Sequence, residues 1–247
     1  MSATIQLKGS EEVASRNAAR RRSKQREQQW YLGLALATAC GFLIFGAASV
    51  CYRSVWHQHS SPQPAIEAYI TAVTLVLAAI GMEFYARWAH KALWHDFTPG
   101  WDVHKSHHTK RVGPFEANDM FSGMNAAPAI ALCAYGFFAP GLVAAFCFGA
   151  GIGITIFGIS YMFVHDGLVH KRFPTGSMGK IPFLRRVAAA HSLHHIDKFN
   201  GVPYGLFLGP QELARVGGTD DLNRQVERQI AIEKQRAASN SLALKAS

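Results

Sequence analysis

The chain has 247 residues, enough for one domain with or without terminal extensions. Hydrophobic residues make up 49% of it and charged residues only 17%, a balance that is unusual for a soluble protein. The formal net charge of +9 fits either the basic side of a membrane protein or a nucleic-acid partner. We favour the membrane protein, with no nucleic-acid partner, because no recognition motif accompanies the charge.

Residues 1–29 form a polar segment rich in arginine and lysine. We expect a basic, flexible tail at a membrane surface, because the segment has too few apolar residues to fold alone. Residues 30–52 then contain about twenty apolar residues without a charge, enough to cross a bilayer core of roughly 30 Å. Trp30, Tyr31 and Tyr52 lie near its ends, which is typical of aromatic rings at a membrane interface.

Two further apolar regions follow along the chain. Residues 65–88 predict a second span, and we expect Glu83 and Arg87 to pair on one helix face because they are four apart. Residues 124–164 are apolar and are interrupted at Pro140–Gly141, which predicts two spans joined by a tight hairpin. The second of these spans has glycines that favour close helix packing, namely Gly149, Gly151, Gly153 and Gly158.

Four spans predict an all-α integral membrane protein. The N-terminal tail, residues 88–123 and the chain from residue 165 onward then lie on one side, where lysine and arginine are concentrated. Only Arg53 lies on the opposite side, in a short loop, so the basic side is expected to face the stroma or cytosol. The predicted divisions are a tail at 1–29, a membrane domain at 30–210 and a polar C-terminal tail at 211–247. This last segment is amphipathic in places, at Leu222, Val226 and Ile230, and we expect a surface helix with a frayed end and no chemical role.

Ten of the twelve histidines fall into four clusters, in which a pair five residues apart and an H-x-x-H-H triplet occur twice in the same order. His57 and His59 lie outside the pattern, and we expect no metal role for them. Imidazole is a common ligand of first-row metals, and ten rings exceed what one ion can use, so the pattern predicts two metal ions close together. The clusters are the first pair His90 and His95, the first triplet His104, His107 and His108, the second pair His165 and His170, and the second triplet His191, His194 and His195.

Helix geometry relates these spacings to a metal site. Each triplet presents three rings to a common point on an α-helix, whereas a pair five apart is separated by about 140°. Both rings of a pair therefore reach one metal centre only where the helix is distorted or ends, and otherwise each ring serves a different ion. Zinc sites use three or four protein ligands, so ten histidines favour two iron ions, which can activate dioxygen. Four aspartates lie within two residues of a cluster histidine and are expected to orient rings by accepting their second N–H: Asp96, Asp102, Asp166 and Asp197.

Four stretches of the sequence carry a specific resemblance. They resemble the β-carotene 3-hydroxylases of plants and algae, which belong to the histidine-box fatty acid hydroxylase and sterol desaturase superfamily. The resemblance covers roughly residues 30–215 and includes all ten cluster histidines. The stretches are MEFYARWAHKALWH at 82–95, HKSHHTKRVGPFEANDMF at 104–121, YMFVHDGLVHKRFP at 161–174 and RRVAAAHSLHHIDKFNGVPYGLFLGPQEL at 185–213.

The resemblance implies a plastid membrane monooxygenase with a histidine-rich di-metal cap. Its cofactors would be two non-haem iron ions held by the ten histidines, with dioxygen and reduced ferredoxin as co-substrates. The reaction would hydroxylate carbon 3 of each β-ionone ring of β-carotene, giving β-cryptoxanthin and then zeaxanthin. No catalytic residue beyond the metal ligands is implied.

Two alternatives remain open at this point. A related histidine-box enzyme would act on the adjacent ring carbon as a ketolase, or on a fatty acid or sterol. A metal-binding membrane transporter is the alternative from another class. Transporters carry ligands or acids near the bilayer midplane, and the centres of these four predicted spans have no His, Asp or Glu. The sequence does not predict the oligomeric state.

Overall fold

A computed structural model of the chain describes residues 2–58, 61–109, 111 and 115–245, so that His59 and Lys110 lie outside the described residues. The described part is built of helices with no strand, which confirms the predicted fold class. The α-helices are α1 (Ser2–Gln58), α2 (Pro64–Ala89), α3 (Thr98–His104), α4 (Met120–Phe138), α5 (Leu142–Met162), α6 (Pro182–His195), α7 (Gly209–Arg215) and α8 (Thr219–Lys245).

Four helical segments of the described chain are long and apolar enough to cross a membrane, as the sequence predicts. The hairpin between the last two lies where it is expected, since α4 ends at Phe138 and α5 begins at Leu142. Gly141 in this turn has a φ of 94°, a conformation that favours glycine. The four segments are Ser15–Val55, Pro64–His95, Ala117–Phe138 and Leu142–Val169.

Helix α5 lies between α2 and α4 and packs closely against both. A Cβ atom added to Gly153 would lie 2.3 Å from the carbonyl oxygen of Leu75 in α2. One added to Gly151 would lie 2.8 Å from the backbone nitrogen of Cys133 in α4, and Gly149 approaches α2 in the same way. These glycines let the helix backbones touch, which is how helices associate in lipid. The close packing fixes α2 and α5, the two helices that carry the histidine pairs.

Arg53 joins the helices at the end of the bundle opposite the histidines. The sequence predicts a loop position, but Arg53 lies within α1 and its side chain is buried. Its guanidinium donates to the carbonyl of Gly136 and, at 2.9 Å, to that of Ala139, and it pairs with Glu67 at 3.0 Å. Glu67 also accepts the N–H of Gly141 at 3.1 Å. A buried charge needs such partners, so this residue ties α1 to the other three spans.

The predicted N-terminal tail continues α1 without a break. Residues 2–29 are rich in Ala, Arg, Gln, Glu and Lys, all good helix formers, which explains why helix replaces the expected flexible segment. Glu27 pairs with Arg111 at 3.1 Å, and the Gln28 amide donates to the carbonyl of Lys171 at 3.0 Å. The start of the first span therefore lies at the same end of the bundle as the histidines, in agreement with the predicted arrangement of the spans.

The C-terminal segment is helical, as its amphipathic pattern predicts. The boundary expected at residue 210 falls inside α7, and Leu213 and Leu222 are buried against Ala189 and Leu193 of α6. An apolar stripe on the two terminal helices covers the helix that carries the second histidine triplet. Burial of this stripe, rather than the mixed charge of the segment, decides its position.

Candidate metal centre

Two π-helical turns place the histidine pairs. Helix α2 continues as the π turn His90–His95, and α5 continues as the π turn Phe163–Val169. Each turn is closed by a backbone N–H bonded at 2.9–3.0 Å to the carbonyl five residues earlier. The wider turn brings residues five apart to the same side, and the ring centroids lie 5.0 Å apart in the first pair and 4.6 Å apart in the second. This confirms that the pairs converge through a local distortion of the helix.

The two triplets are built differently. The second triplet lies in the last turns of α6, as predicted. In the first, α3 ends at His104, and the N–H groups of His107 and His108 bond to the carbonyls of His104 at 2.8 Å and Lys105 at 3.2 Å. These tight turns still bring the rings together, with the centroids of His104 and His108 5.0 Å apart. Turns with three-residue spacing therefore replace the expected α-helix.

All ten cluster histidines meet at one end of the bundle. Nine of them form two groups, and within each group the ring nitrogens lie within 4.8 Å of one another. His195 lies between the groups, with its ring centroid 4.5 Å from that of His108 and 4.7 Å from that of His170. The five-histidine group is His90, His95, His104, His108 and His194, and the four-histidine group is His107, His165, His170 and His191.

Burial favours the neutral form of six of these rings. It lowers the pKa of His104 to about 2, that of His108 to about 4 and that of His194 to about 3. Burial is also the main cause that lowers the pKa of His170, His191 and His195. A metal binds only the neutral ring, so the protein holds these side chains ready to act as ligands near pH 7.

In the five-histidine group, rings are oriented by neutral oxygen atoms. Each of three rings donates its Nδ1–H to an amide or carbonyl oxygen outside the group, which fixes the tautomer and turns Nε2 inward. The acceptors are the Tyr204 carbonyl for His90 at 2.7 Å, the Asn118 side-chain oxygen for His104 at 2.7 Å and the Gly201 carbonyl for His194 at 2.6 Å.

In the four-histidine group, the orienting oxygens belong to carboxylates. Glu116 accepts the Nδ1–H of His107 at 2.9 Å, and Asp166 accepts that of His165 at 2.8 Å. The guanidinium of Arg172 also bonds to Glu116 and lies 3.8 Å from Asp166. Burial raises the pKa of Glu116, but its bonds to His107 and Arg172 outweigh burial and leave the pKa below its usual value.

Of the four aspartates predicted to orient rings, Asp166 alone does so in the described structure. The other predictions are wrong because nearness in sequence does not set the direction of a side chain. Sequence reasoning missed Glu116 and Asn118, for which the polar residues before α4 are the only signal, and the two backbone carbonyls leave no signal at all. The remaining aspartates have other partners: Lys91 for Asp96, Lys105 for Asp102 and the N–H of Gly201 for Asp197.

The inward-facing nitrogens fit metal ions. The Nε2 atoms of His90 and His104 lie 3.0 Å apart, as do those of His107 and His165. In the first of these pairs, both rings donate the Nδ1 proton to an oxygen, so the two facing Nε2 atoms carry lone pairs and no hydrogen bond joins them. Such convergent, buried lone pairs are the donor set of a cation. Further buried ring nitrogens without a hydrogen-bond partner are Nε2 of His95, His170 and His194 and Nδ1 of His191.

Two buried glutamates hold the loop between α6 and α7, which supplies both carbonyl acceptors. Glu212 accepts the N–H groups of Tyr204 at 3.1 Å and Gly205 at 3.0 Å. Glu83 of α2 accepts the N–H of Leu208 at 2.8 Å. Because the N–H groups of this loop are fixed, the carbonyl of Tyr204 is held against the first histidine pair.

The predicted pair between Glu83 and Arg87 does not form. Arg87 pairs with Glu212 of α7 at 2.7 Å, while Glu83 is engaged by the backbone of Leu208. The C-terminal segment therefore has a structural role at the site through Glu212, which the sequence does not predict.

An apolar cavity of about 480 Å³ leads from the histidines into the membrane-spanning part of the bundle. His90, His104 and His165 line its upper end, and its walls come from α1, α2, α4 and α5. On α5 and the π turn that continues it, the lining extends from Ile154 to His165, a length of roughly 16 Å along a helix. The histidine groups therefore face a cavity that opens towards the interior of the bundle at the level of the spans.

Comparison with known proteins agrees with this architecture. Residues 75–214, more than half of the chain, match the fatty acid hydroxylase family, and the chain belongs to that family. Among curated proteins, beta-carotene 3-hydroxylase 1, chloroplastic, of Arabidopsis thaliana is 52% identical over 94% of this chain and 74% of its own length. Beta-carotene hydroxylase 2, chloroplastic, of Capsicum annuum is 52% identical over 91% and 72%. Beta-carotene 3-hydroxylase, chloroplastic, of Haematococcus lacustris is 47% identical over 86% and 66%. No solved structure matches the chain.

Gly100→Ala should abolish metal binding while leaving the spans helical. A Cβ atom at Gly100 would lie 1.6 Å from the carbonyl oxygen of Leu93, so α3 could not stay against the first π turn, and His104 would move away. Metal content of the purified protein and circular dichroism measure the two effects. Gly123→Ala in α4, where no atom lies within 4 Å, is the control. Unchanged metal content in Gly100→Ala would contradict the role given to α3.

Proposed function

We propose that this chain is a plastid membrane enzyme that hydroxylates carbon 3 of the β-ionone rings of β-carotene, giving β-cryptoxanthin and zeaxanthin. The observation that carries the proposal is the convergence of ten buried or half-buried histidines at the end of an apolar cavity. The 52% identity to beta-carotene 3-hydroxylase 1, chloroplastic, of Arabidopsis thaliana supports the choice of substrate. The chloroplastic names of the relatives support the location.

The ten cluster histidines would hold two iron ions, one in each group, with His195 within reach of both. Bound iron supplies the activation of dioxygen from which one oxygen atom enters a C–H bond. Zinc fits the site less well, because its catalytic sites use three protein ligands and it has no redox chemistry. The protein provides neutral rings, fixed tautomers and burial of the centre from water.

The cavity accounts for the access of an apolar polyene. A carotene dissolves in the bilayer and not in water, so it would enter between the spans. Phe42 and Ile130 line the cavity and still expose 45% and 60% of their surface, so the cavity wall is also a lipid-facing surface there. The ring would then lie beside the histidines, and the polyene would extend towards the membrane centre.

Expression in bacteria that make β-carotene tests this function through pigment chromatography. We expect β-cryptoxanthin followed by zeaxanthin. A ketone at the adjacent ring carbon would identify a ketolase instead. Unchanged β-carotene, from a protein that is folded and loaded with iron and supplied with reductant, would contradict carotenoid hydroxylation.

In the same assay, replacing any one of the ten cluster histidines by alanine should abolish or nearly abolish hydroxylation. Ten ligands divided between two ions leave little redundancy, and the protein should still insert because the spans are unchanged. His57→Ala and His59→Ala are the matched controls and should stay close to wild type. Full activity without His104, His107 or His194 would rule out the di-metal site.

We further propose reduced ferredoxin as the electron donor. Ferredoxins are acidic, and the histidine end of the bundle exposes basic side chains, including Lys171 and Lys180. Arg185 is less available, because it pairs with Glu233 at 3.1 Å. Opposite charge on the two proteins would raise their encounter rate.

Replacing Lys171 and Lys180 together by glutamine should raise the KM for ferredoxin about 3-fold or more at low salt. The difference should shrink as ionic strength rises, because salt screens the attraction. The double arginine variant keeps both charges and serves as the control. An unchanged KM in the glutamine variant would indicate that these charges only orient the protein in the membrane.

A further inference from the structure

The two histidine groups differ in the charge of the atoms that orient their rings. Among the described residues, the acceptors of the five-histidine group are two backbone carbonyls and the side chain of Asn118. The acceptors of the four-histidine group are the carboxylates of Glu116 and Asp166. Hydrogen-bond lengths are 2.6–2.7 Å in the first case and 2.8–2.9 Å in the second. Rings in both groups have a hydrogen-bonded acceptor, so the two groups differ in the charge of that acceptor.

A carboxylate acceptor changes the ligand strength of an imidazole. It draws the Nδ1 proton towards itself, which leaves more electron density on Nε2 and makes the ring a more basic ligand. A neutral amide oxygen has a weaker effect, and hydrogen bonds to ionised acceptors are about twice as strong as those to neutral ones. The rings of His107 and His165 are therefore stronger electron-pair donors to a metal, and their hydrogen bonds hold them more firmly in position.

Arg172 fixes the two carboxylates. Its side chain is only 8% exposed, and its guanidinium bonds to Glu116, pairs with Asp119 at 2.8 Å and lies 3.8 Å from Asp166. Buried carboxylates need a partner charge, and a guanidinium offers several donors in a rigid fork. One arginine thus braces the acceptors of two different histidines.

Ligand number does not separate the groups. The Nε2 atom of His195 lies 3.2 Å from that of His191, so the four-histidine group has a fifth ring within reach. When His195 serves the four-histidine group, each group has five rings, and the carboxylates remain as a difference between the two environments.

We propose that the two metal sites are inequivalent, and that the four-histidine group retains its ion more tightly. Glu116 and Asp166 are positioning residues that act through His107 and His165, and Arg172 holds them in place. The inference rests on the proposed function, which places one ion in each group.

Chelator titration of the iron-loaded, detergent-purified protein tests the proposal, with retained iron per chain as the readout. Wild type should lose its two ions in two steps, separated by about 10- to 100-fold in chelator concentration. Glu116→Gln and Asp166→Asn should each release the more tightly held ion at a chelator concentration about 10- to 100-fold lower than in wild type. Release of the other ion should stay at its wild-type concentration. Asn118→Asp gives His104 a carboxylate acceptor and should shift the weaker step towards tighter binding, a gain that misfolding cannot produce.

Asp102→Asn is the matched control. It removes a carboxylate two residues from His104 that pairs with exposed Lys105 at 2.5 Å, so both steps should stay unchanged. A single step in wild type, or an unmoved tighter step in Glu116→Gln, would overturn the inequivalence while leaving the two-ion site intact. Fewer than two ions per wild-type chain would overturn the proposed function as well.

Discussion

Imidazole nitrogens that face one another without a proton between them determine the rest of this structure. Four rings donate their Nδ1–H to fixed oxygens and turn their Nε2 atoms inward, and the Nε2 atoms of His90 and His104 lie 3.0 Å apart with their lone pairs facing. In a buried, apolar setting this arrangement is repulsive unless a cation lies among the lone pairs. Because burial also opposes protonation, the site is suited to metal ions and not to protons.

Several parts of the fold hold the histidine rings in this arrangement. The π turns put two rings of each pair on one side of a membrane helix, and glycine contacts fix the helices that carry those turns. At the opposite end, Arg53 and Glu67 join the spans through backbone groups of the α4–α5 hairpin. The loop held by Glu83 and Glu212 returns across the histidines and supplies carbonyl acceptors. The two π turns are thus held between packed neighbours on both sides of the histidine groups.

Sequence reasoning recovers the parts of the molecule that depend on pattern. Long apolar runs predict the four spans, and the repeated histidine spacings predict that the rings converge. Sequence reasoning fails where the direction of a side chain decides which partner it reaches. Asp96 and Asp102 are near histidines in sequence but pair with lysines on the surface, whereas Glu116 reaches His107 from nine residues away. Backbone acceptors have no sequence signature, and nothing in the sequence indicates that Glu212 holds the loop that supplies them.

The central claim is that one end of the bundle holds two metal ions in neighbouring histidine groups. Anomalous X-ray scattering at the iron absorption edge, from crystals of the iron-loaded protein, locates such ions directly. The account predicts two peaks, one among the five-histidine group and the other among the four-histidine group. A single peak, or peaks away from these rings, would contradict it.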